Sequence, residues 1–146
     1  MSLISINIRG LGGGIEWNYL GSIVRKENPG VVCCQETKLV NVNYQQCYSL
    51  WGSNSISWVH RSVDMEGGGI LTLWNQNVFL CDRTLEGKGY MVIEGKYKIG
   101  RGDSVVRVGI INVYSTGSNI DKAVLWENLG RILRSNDNIA WCDWGF

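Results

Sequence analysis

The chain has almost no net charge. Its 14 basic and 13 acidic residues leave a formal +1, so no strong field marks it for nucleic acid or for a membrane surface, and none forbids either. Basic groups such as Arg61, Lys96, Lys98 and Arg101 are scattered, and they read as solvated. Histidine is nearly absent. His60 is the only one, and its surroundings, Ser57-Trp58-Val59-His60-Arg61, predict a half-buried strand residue rather than a catalytic imidazole. No apolar run approaches the roughly 20 residues of a membrane helix, and no basic leader with an apolar core opens the chain. The expectation is a protein that is neither membrane-spanning nor secreted. The five cysteines, Cys33, Cys34, Cys47, Cys81 and Cys142, are odd in number and lack CxxC spacing. They read as reduced core-filling residues, which suggests an intracellular compartment, nucleus or cytoplasm.

What is present is an ordinary globular composition, 45% hydrophobic and 18% charged over 146 residues. That is the size of one domain with a real core. Leu3 to Ile8 alternates as a strand, with Ile4, Ile6 and Ile8 on one face and Ser5 and Asn7 on the other. A glycine-rich loop, Gly10 to Gly14, leads into a helix predicted over Ile15 to Asn28. Trp17, Leu20 and Val24 form its apolar stripe, Arg25 and Lys26 suit its C-terminal end, and Pro29-Gly30 stops it. Val31 to Gln35 is the next strand, in which Cys33 and Cys34 point to opposite faces. A strand-helix-strand unit implies a parallel pair joined by a right-handed crossover. A short helical stretch follows around Val42 to Leu50.

The character then changes to strand-like runs: Ile56 to Arg61, Ile70 to Asn75, Val78 to Asp82, Tyr90 to Ile99 and Val105 to Tyr114. Gly100-Arg101-Gly102-Asp103 contains an adhesion-type tripeptide, but Gly-Asp belongs in a hairpin turn. A second clear helix runs from Asp121 to Arg134, with Leu125, Leu129 and Ile132 on one face and Ser118 or Asn119 as candidate N-caps. Asn138 to Cys142 begins another buried strand. Trp51, Trp58, Trp74 and Trp126 occupy apolar-face positions and read as core. No linker, repeat or low-complexity tract divides the chain.

Two signals compete for the chemistry. Asn7 and Glu36 end neighbouring strands, where functional groups of parallel sheets collect, and an amide beside a carboxylate can seat a hard cation such as Mg²⁺. The rival is Gly10-Leu11-Gly12-Gly13-Gly14 with Glu36 ending the next strand, close to a dinucleotide-binding fingerprint. That fingerprint needs a third glycine where this chain has Ile15.

Several segments in order carry a resemblance: Ile4-Ser5-Ile6-Asn7-Ile8-Arg9-Gly10, then Val32-Cys33-Cys34-Gln35-Glu36-Thr37-Lys38, then Gly67-Gly68-Gly69-Ile70-Leu71-Thr72-Leu73-Trp74, then Ile111-Asn112-Val113-Tyr114-Ser115, then the helix bearing Lys122 and Leu125-Trp126. Together they resemble the N-terminal part of the endonuclease/exonuclease/phosphatase (DNase I-like) domain, in the version found in LINE-type retrotransposons. The resemblance implies an α/β fold, a layered sandwich of mixed β-sheets flanked by helices. It implies Mg²⁺- or Mn²⁺-dependent phosphodiester hydrolysis, with DNA as partner and the cation weakly held. Glu36 would be the metal ligand, assisted by Asn7, and Tyr114 would aim its hydroxyl at the phosphate.

The family's next segment is Gly-Asp-Phe-Asn, and here the matching stretch is Trp141-Cys142-Asp143-Trp144-Gly145-Phe146. Without a gap, Asp143 takes the place of the Asp and joins the expected site, and Gly145 replaces the Asn. With a one-residue gap, Gly145-Phe146 match and the Asp is lost. The segment bearing the family's general-base histidine has no counterpart. Residues 1–146 therefore read as a truncated domain whose C-terminal part is missing, a retroelement fragment with impaired or no catalysis. The alternatives are a non-catalytic metal- or nucleic-acid-binding remnant and the dinucleotide-binding domain above.

Overall fold

Among the described residues, three helices and eight strands fold in the order the sequence patterning predicts. The computed structural model describes residues 1–62, 68–115, 117–136 and 138–144, with Trp144 as backbone only. The elements are β1 (Leu3–Asn7), α1 (Gly14–Glu27), β2 (Val31–Gln35), α2 (Tyr44–Trp51), β3 (Ile56–Arg61), β4 (Ile70–Asn75), β5 (Phe79–Gly87), β6 (Tyr90–Lys98), β7 (Val105–Val113), α3 (Asn119–Arg134) and β8 (Ala140–Trp144).

The strands form two four-stranded sheets, β1-β2-β4-β3 and β5-β6-β7-β8. Each is mixed. β1 runs parallel to β2, with Asn7 opposite Gln35, while β2-β4 and β4-β3 are antiparallel. In the second sheet β5-β6-β7 is antiparallel and β8 returns parallel to β7 through α3. The two helical crossovers, β1-α1-β2 and β7-α3-β8, thus occupy corresponding places. The fold is a layered α/β sandwich of two mixed sheets flanked by helices, as expected. An all-parallel, doubly wound sheet is what a dinucleotide fingerprint works on, and this is not one.

Strand alternation divides the core into three layers. Val32, Cys34, Leu71 and Leu73 face outward under α1 and α2, against Leu20, Val24, Cys47 and Leu50. Val31, Cys33, Trp74, Phe79, Ile93, Tyr97, Val108 and Ile110 fill the space between the sheets. Val92, Ile111 and Val113 meet Leu125 and Leu129 of α3 on the far side. Each such aliphatic side chain, once buried, contributes about 1.5–3 kcal/mol. Cys33 and Cys34 do point to opposite faces. All five cysteines are free thiols, and burial pushes the Cys33 thiol up to about 12.

The helices begin where local chemistry favours it. Asn43 caps α2 and Ser118 caps α3, each in a reciprocal capping box, with Gln46 and Asp121 respectively. α1 ends on Asn28 in the left-handed conformation just before Pro29.

Two expectations are corrected. The strand placed at Val78 to Asp82 extends to Gly87. Its polar continuation is held by a bulge at Cys81/Arg83 and by Arg83, which clasps the buried Glu94 with bonds of 3.1 and 2.7 Å. Trp126 is not core: it is 49% exposed, because Leu125 takes the inward position of α3. Trp74 is buried, and Trp51 and Trp58 are partly buried against the outer layer.

Candidate active site

The polar ends of β1, β2 and β7 meet at one end of the sandwich. β2 lies on β7 across the inter-sheet layer, and a buried amide bolts them together. Asn112, fully buried in β7, accepts from Gln35 Nε2 at 2.7 Å. Its own Nδ2 donates to the Cys34 carbonyl at 3.3 Å, the Leu71 carbonyl at 3.2 Å and Thr72 Oγ1 at 3.1 Å. Gln35 also donates to Ser5 Oγ of β1 at 3.0 Å. One amide pair therefore ties β1, β2, β4 and β7 in the low-dielectric interior, where satisfied polar groups fix geometry strongly.

That bolt sits directly beneath the expected site residues. Glu36 follows Gln35, and Tyr114 stands two residues after Asn112, on the same face by strand alternation. Burial, and after it the nearby Glu36 carboxylate, raise the Tyr114 pKa above its ordinary value. Tyr114 is anchored by its main-chain N–H, which donates to the Gly89 carbonyl at 2.8 Å. Gly68 lets the two side chains meet. A Cβ there would lie 2.7 Å from Tyr114 Cε1 and 3.0 Å from Glu36 Cα and Cγ, closer than real side chains pack.

Asn7 ends β1 on the neighbouring parallel strand. Its side chain is exposed, and its Oδ1 accepts from the Arg9 N–H at 3.2 Å, leaving a second lone pair. Main-chain bonds braid the two strand ends: Gly10 N–H donates to the Glu36 carbonyl at 2.7 Å and Leu11 N–H to the Thr37 carbonyl at 2.8 Å. Arg9, Glu36 and Lys38 all adopt left-handed backbone, with φ of 54°, 56° and 55°. Such conformations are costly for residues with a Cβ and concentrate at functional loops. The Lys38 ammonium lies 3.6 Å from Glu36 Oε1, and the Glu36 side chain is 22% exposed.

The expected site residues divide. Asn7, Glu36 and Tyr114 come to the same end, while Asp143 does not join them. Asp143 is the register partner of Ile111, which packs under α3, and Trp141, two residues earlier, packs there too. Asp143 is exposed on the α3 side of its sheet. Cys142, one residue away, is the position that faces the inter-sheet layer. The period of two along a strand makes a one-residue offset a change of face, so the gap-free pairing does not carry Asp143 to Glu36. Gly145 and Phe146, on which the gapped pairing rests, lie outside the described residues, as does Gly67 of the glycine run.

His60 stands in β3, half-buried, lining a cleft of about 300 Å³ with Thr84, Glu86 and Met91. Its Nε2 is buried without a hydrogen-bond partner. Burial lowers its pKa below the ordinary value, against an opposing pull from Glu86. No bond joins it to Glu36 or Tyr114 among the described residues.

The sequence reading passed over Asn112, Gln35 and Gly68 as functional supports. Asn112 was detectable as a lone amide in an otherwise apolar strand core, Gly109 to Val113. Among the described residues no group of three or more His, Cys, Asp or Glu could hold a metal. The donors that converge are one carboxylate and one amide oxygen. That set suits a hard cation held mostly by water and substrate oxygens, and it does not suit a zinc-type closed site.

No protein-family model matches the chain, and no curated protein matches its sequence significantly. Solved structures do match its fold. TDP2 from D. rerio, complexed with a single-strand DNA product, superposes with a TM-score of 0.63 at 14% identity, covering 98% of this chain and 58% of that one. An endonuclease/exonuclease/phosphatase family protein from Bacteroides thetaiotaomicron gives 0.61 at 12%, covering 98% and 62%. The AP endonuclease LMAP from Leishmania major gives 0.55 at 19%, covering 97% and 53%. The chain therefore spans somewhat over half the length of these proteins.

Proposed function

With the endonuclease/exonuclease/phosphatase fold as premise, we propose that this chain is the N-terminal portion of a metal-dependent phosphodiester hydrolase domain. The observation that carries the reading is the convergence of Glu36, Tyr114 and Asn7 at the strand ends, in a fold shared with solved nucleases. Glu36 holds a weakly bound Mg²⁺ or Mn²⁺, assisted by the free lone pair of Asn7. A bound cation of this kind would polarise a phosphoryl oxygen. Tyr114 places its hydroxyl where a phosphate oxygen can accept from it once Glu36 has another partner. The substrate is a nucleic acid, DNA in the first instance, since one of the similar structures holds a DNA product. A LINE-type retroelement origin and an intracellular setting accord with the motif order and the free thiols.

Turnover is impaired. The chain's only histidine lies on β3, in the cleft with Glu86, and Asp143 faces α3. Among the described residues no histidine or second carboxylate is bonded to Tyr114 or Glu36 to take a proton from water, and general base catalysis alone typically supplies about 10²–10⁴-fold. The test is a supercoiled-plasmid nicking assay with Mg²⁺, comparing wild type with Glu36→Ala. Slow nicking that depends on Glu36 is expected. Nicking unaffected by Glu36→Ala refutes the site, and fast Glu36-dependent nicking refutes the impairment. Among the described residues no helix is long and apolar enough to cross a membrane, so no membrane-spanning role is proposed.

A further inference from the structure

Among the described residues Lys38 is the cation paired with the Glu36 carboxylate, and its placement is built rather than incidental. Its backbone is held in the left-handed conformation, φ 55°. Its N–H donates to the Gly68 carbonyl at 2.5 Å, while the N–H of the preceding Thr37 donates to Gly69 at 3.2 Å. Thr37 is fully buried, so the residues on either side of it, Glu36 and Lys38, are turned out together. The aliphatic stem of Lys38 passes over Gly10, where an added Cβ would touch its Cδ at 3.6 Å. The side chain therefore leans from its own loop across the end of β1 and brings its ammonium within 3.6 Å of Glu36 Oε1. Exposed ion pairs usually join two freely rotating chains. Here both backbones are pinned by the loops that build the site.

We infer that Lys38 is a stand-in cation for this site. This rests on the reading of Glu36 as a metal ligand. The Lys38 ammonium keeps the carboxylate paired while no divalent cation is bound. It gives way when a divalent cation is taken up, because an ammonium and a divalent ion on one carboxylate repel each other. Its flexible four-carbon stem then lets the charge turn to a phosphate oxygen of the substrate, the point-charge role that lysine fills well. Lys38 thereby weakens cation binding in the free protein and strengthens substrate binding in the loaded one. A merely structural lysine cannot produce these two effects of opposite sign.

The experiment titrates Mn²⁺ alone into wild type, Lys38→Gln, Lys38→Arg and Glu36→Gln, with free Mn²⁺ read by electron paramagnetic resonance. Lys38→Gln is expected to bind Mn²⁺ about 1.4- to fivefold more tightly, the range spanned by one exposed charge pair. Lys38→Arg should behave as wild type, and Glu36→Gln should bind at least about tenfold more weakly. A short single-stranded oligonucleotide is then titrated at saturating Mn²⁺. Lys38→Gln should bind it more weakly and lower the slope of log affinity against log salt by about 0.7, one phosphate contact on a single strand. Equal or weaker Mn²⁺ binding by Lys38→Gln, with Glu36→Gln still impaired, overturns the role of Lys38 and leaves the metal reading standing. Loss of both affinities together in Lys38→Gln also overturns it. Glu36→Gln binding Mn²⁺ like wild type overturns the metal reading and this inference with it.

Discussion

Asn112→Ala should be among the most destabilising single changes in the chain, and it should act on the site as well as on the fold. The Asn112 carboxamide is engaged on both sides in full burial: its oxygen accepts from Gln35, and its two N–H groups are shared among the Cys34 and Leu71 carbonyls and Thr72 Oγ1. Truncation leaves Gln35 Nε2 with Ser5 Oγ at 3.0 Å and the longer contact to the Cys33 carbonyl at 3.5 Å, and removes an outside donor from two carbonyls of facing strands. An orphaned buried donor costs about 1–3 kcal/mol, and the vacated volume adds about 1 more. The expected loss is about 2–4 kcal/mol. Urea unfolding followed by tryptophan fluorescence is the assay, since Trp74 is buried beside this layer. With a urea slope of about 2 kcal/mol/M, the midpoint should fall by about 1–2 M. Gln35→Ala and the double variant complete the cycle, and the two changes should couple by at least about 0.5 kcal/mol. A midpoint shift below about 0.3 M, or strict additivity, would show that the amide pair does not tie the sheets together.

Gly68→Ala should leave the fold intact and disturb the site. The new methyl would stand where the Tyr114 ring and the Glu36 stem now meet, so Mn²⁺ affinity should change at least about threefold, with little change in the urea midpoint. Unchanged affinity would show that the Tyr114–Glu36 contact is irrelevant to the cation. His60→Gln addresses pH. The folded state holds this imidazole below its ordinary 6.5, so in that window the unfolded chain binds more protons. Wild-type stability should therefore fall as pH drops through 6.5 toward the lowered folded value. Thr84, Glu86 and Met91 face His60, and Glu86 partly offsets the shift. Urea midpoints at neutral and mildly acidic pH should converge in His60→Gln. An equally steep pH dependence in the variant would assign the effect to other groups.

Much of this architecture was legible because its signals are local. The period of two in Leu3–Ile8 and the period of 3.6 along Trp17, Leu20 and Val24 each report one face of one element. The parallel pairing of β1 with β2 then followed from crossover geometry. Tyr114 and Glu36 could be brought together only by the resemblance, since 78 residues of chain separate them (114 − 36) and nothing local records which sheet faces which. The strand ended early because the residues that continue it, Arg83, Thr84 and Glu86, look like a loop until Glu94 supplies the partner for Arg83. Trp126 read as core because a helix stripe is wide enough to include it, and only the packed face of α3 decides between it and Leu125.

Asp143 shows where local reading and family pattern part. Each names the right strand, and neither fixes its phase. The phase is set across the sheet, by Ile110 and Ile111 of β7, whose side chains must go to the inter-sheet layer and to α3 respectively. Once β8 pairs with β7 so that Cys142 enters the inner layer beside Ile110, Asp143 follows Ile111 outward. Recovering a site-facing carboxylate would require β8 to slip by one residue. That slip would exchange Trp141 with Cys142 and push an indole into a layer now filled by a thiol. Cores tolerate such overpacking poorly, at about 1–3 kcal/mol or more. The packing of two hydrophobic side chains, rather than any property of the carboxylate, therefore keeps Asp143 away from Glu36 and Tyr114.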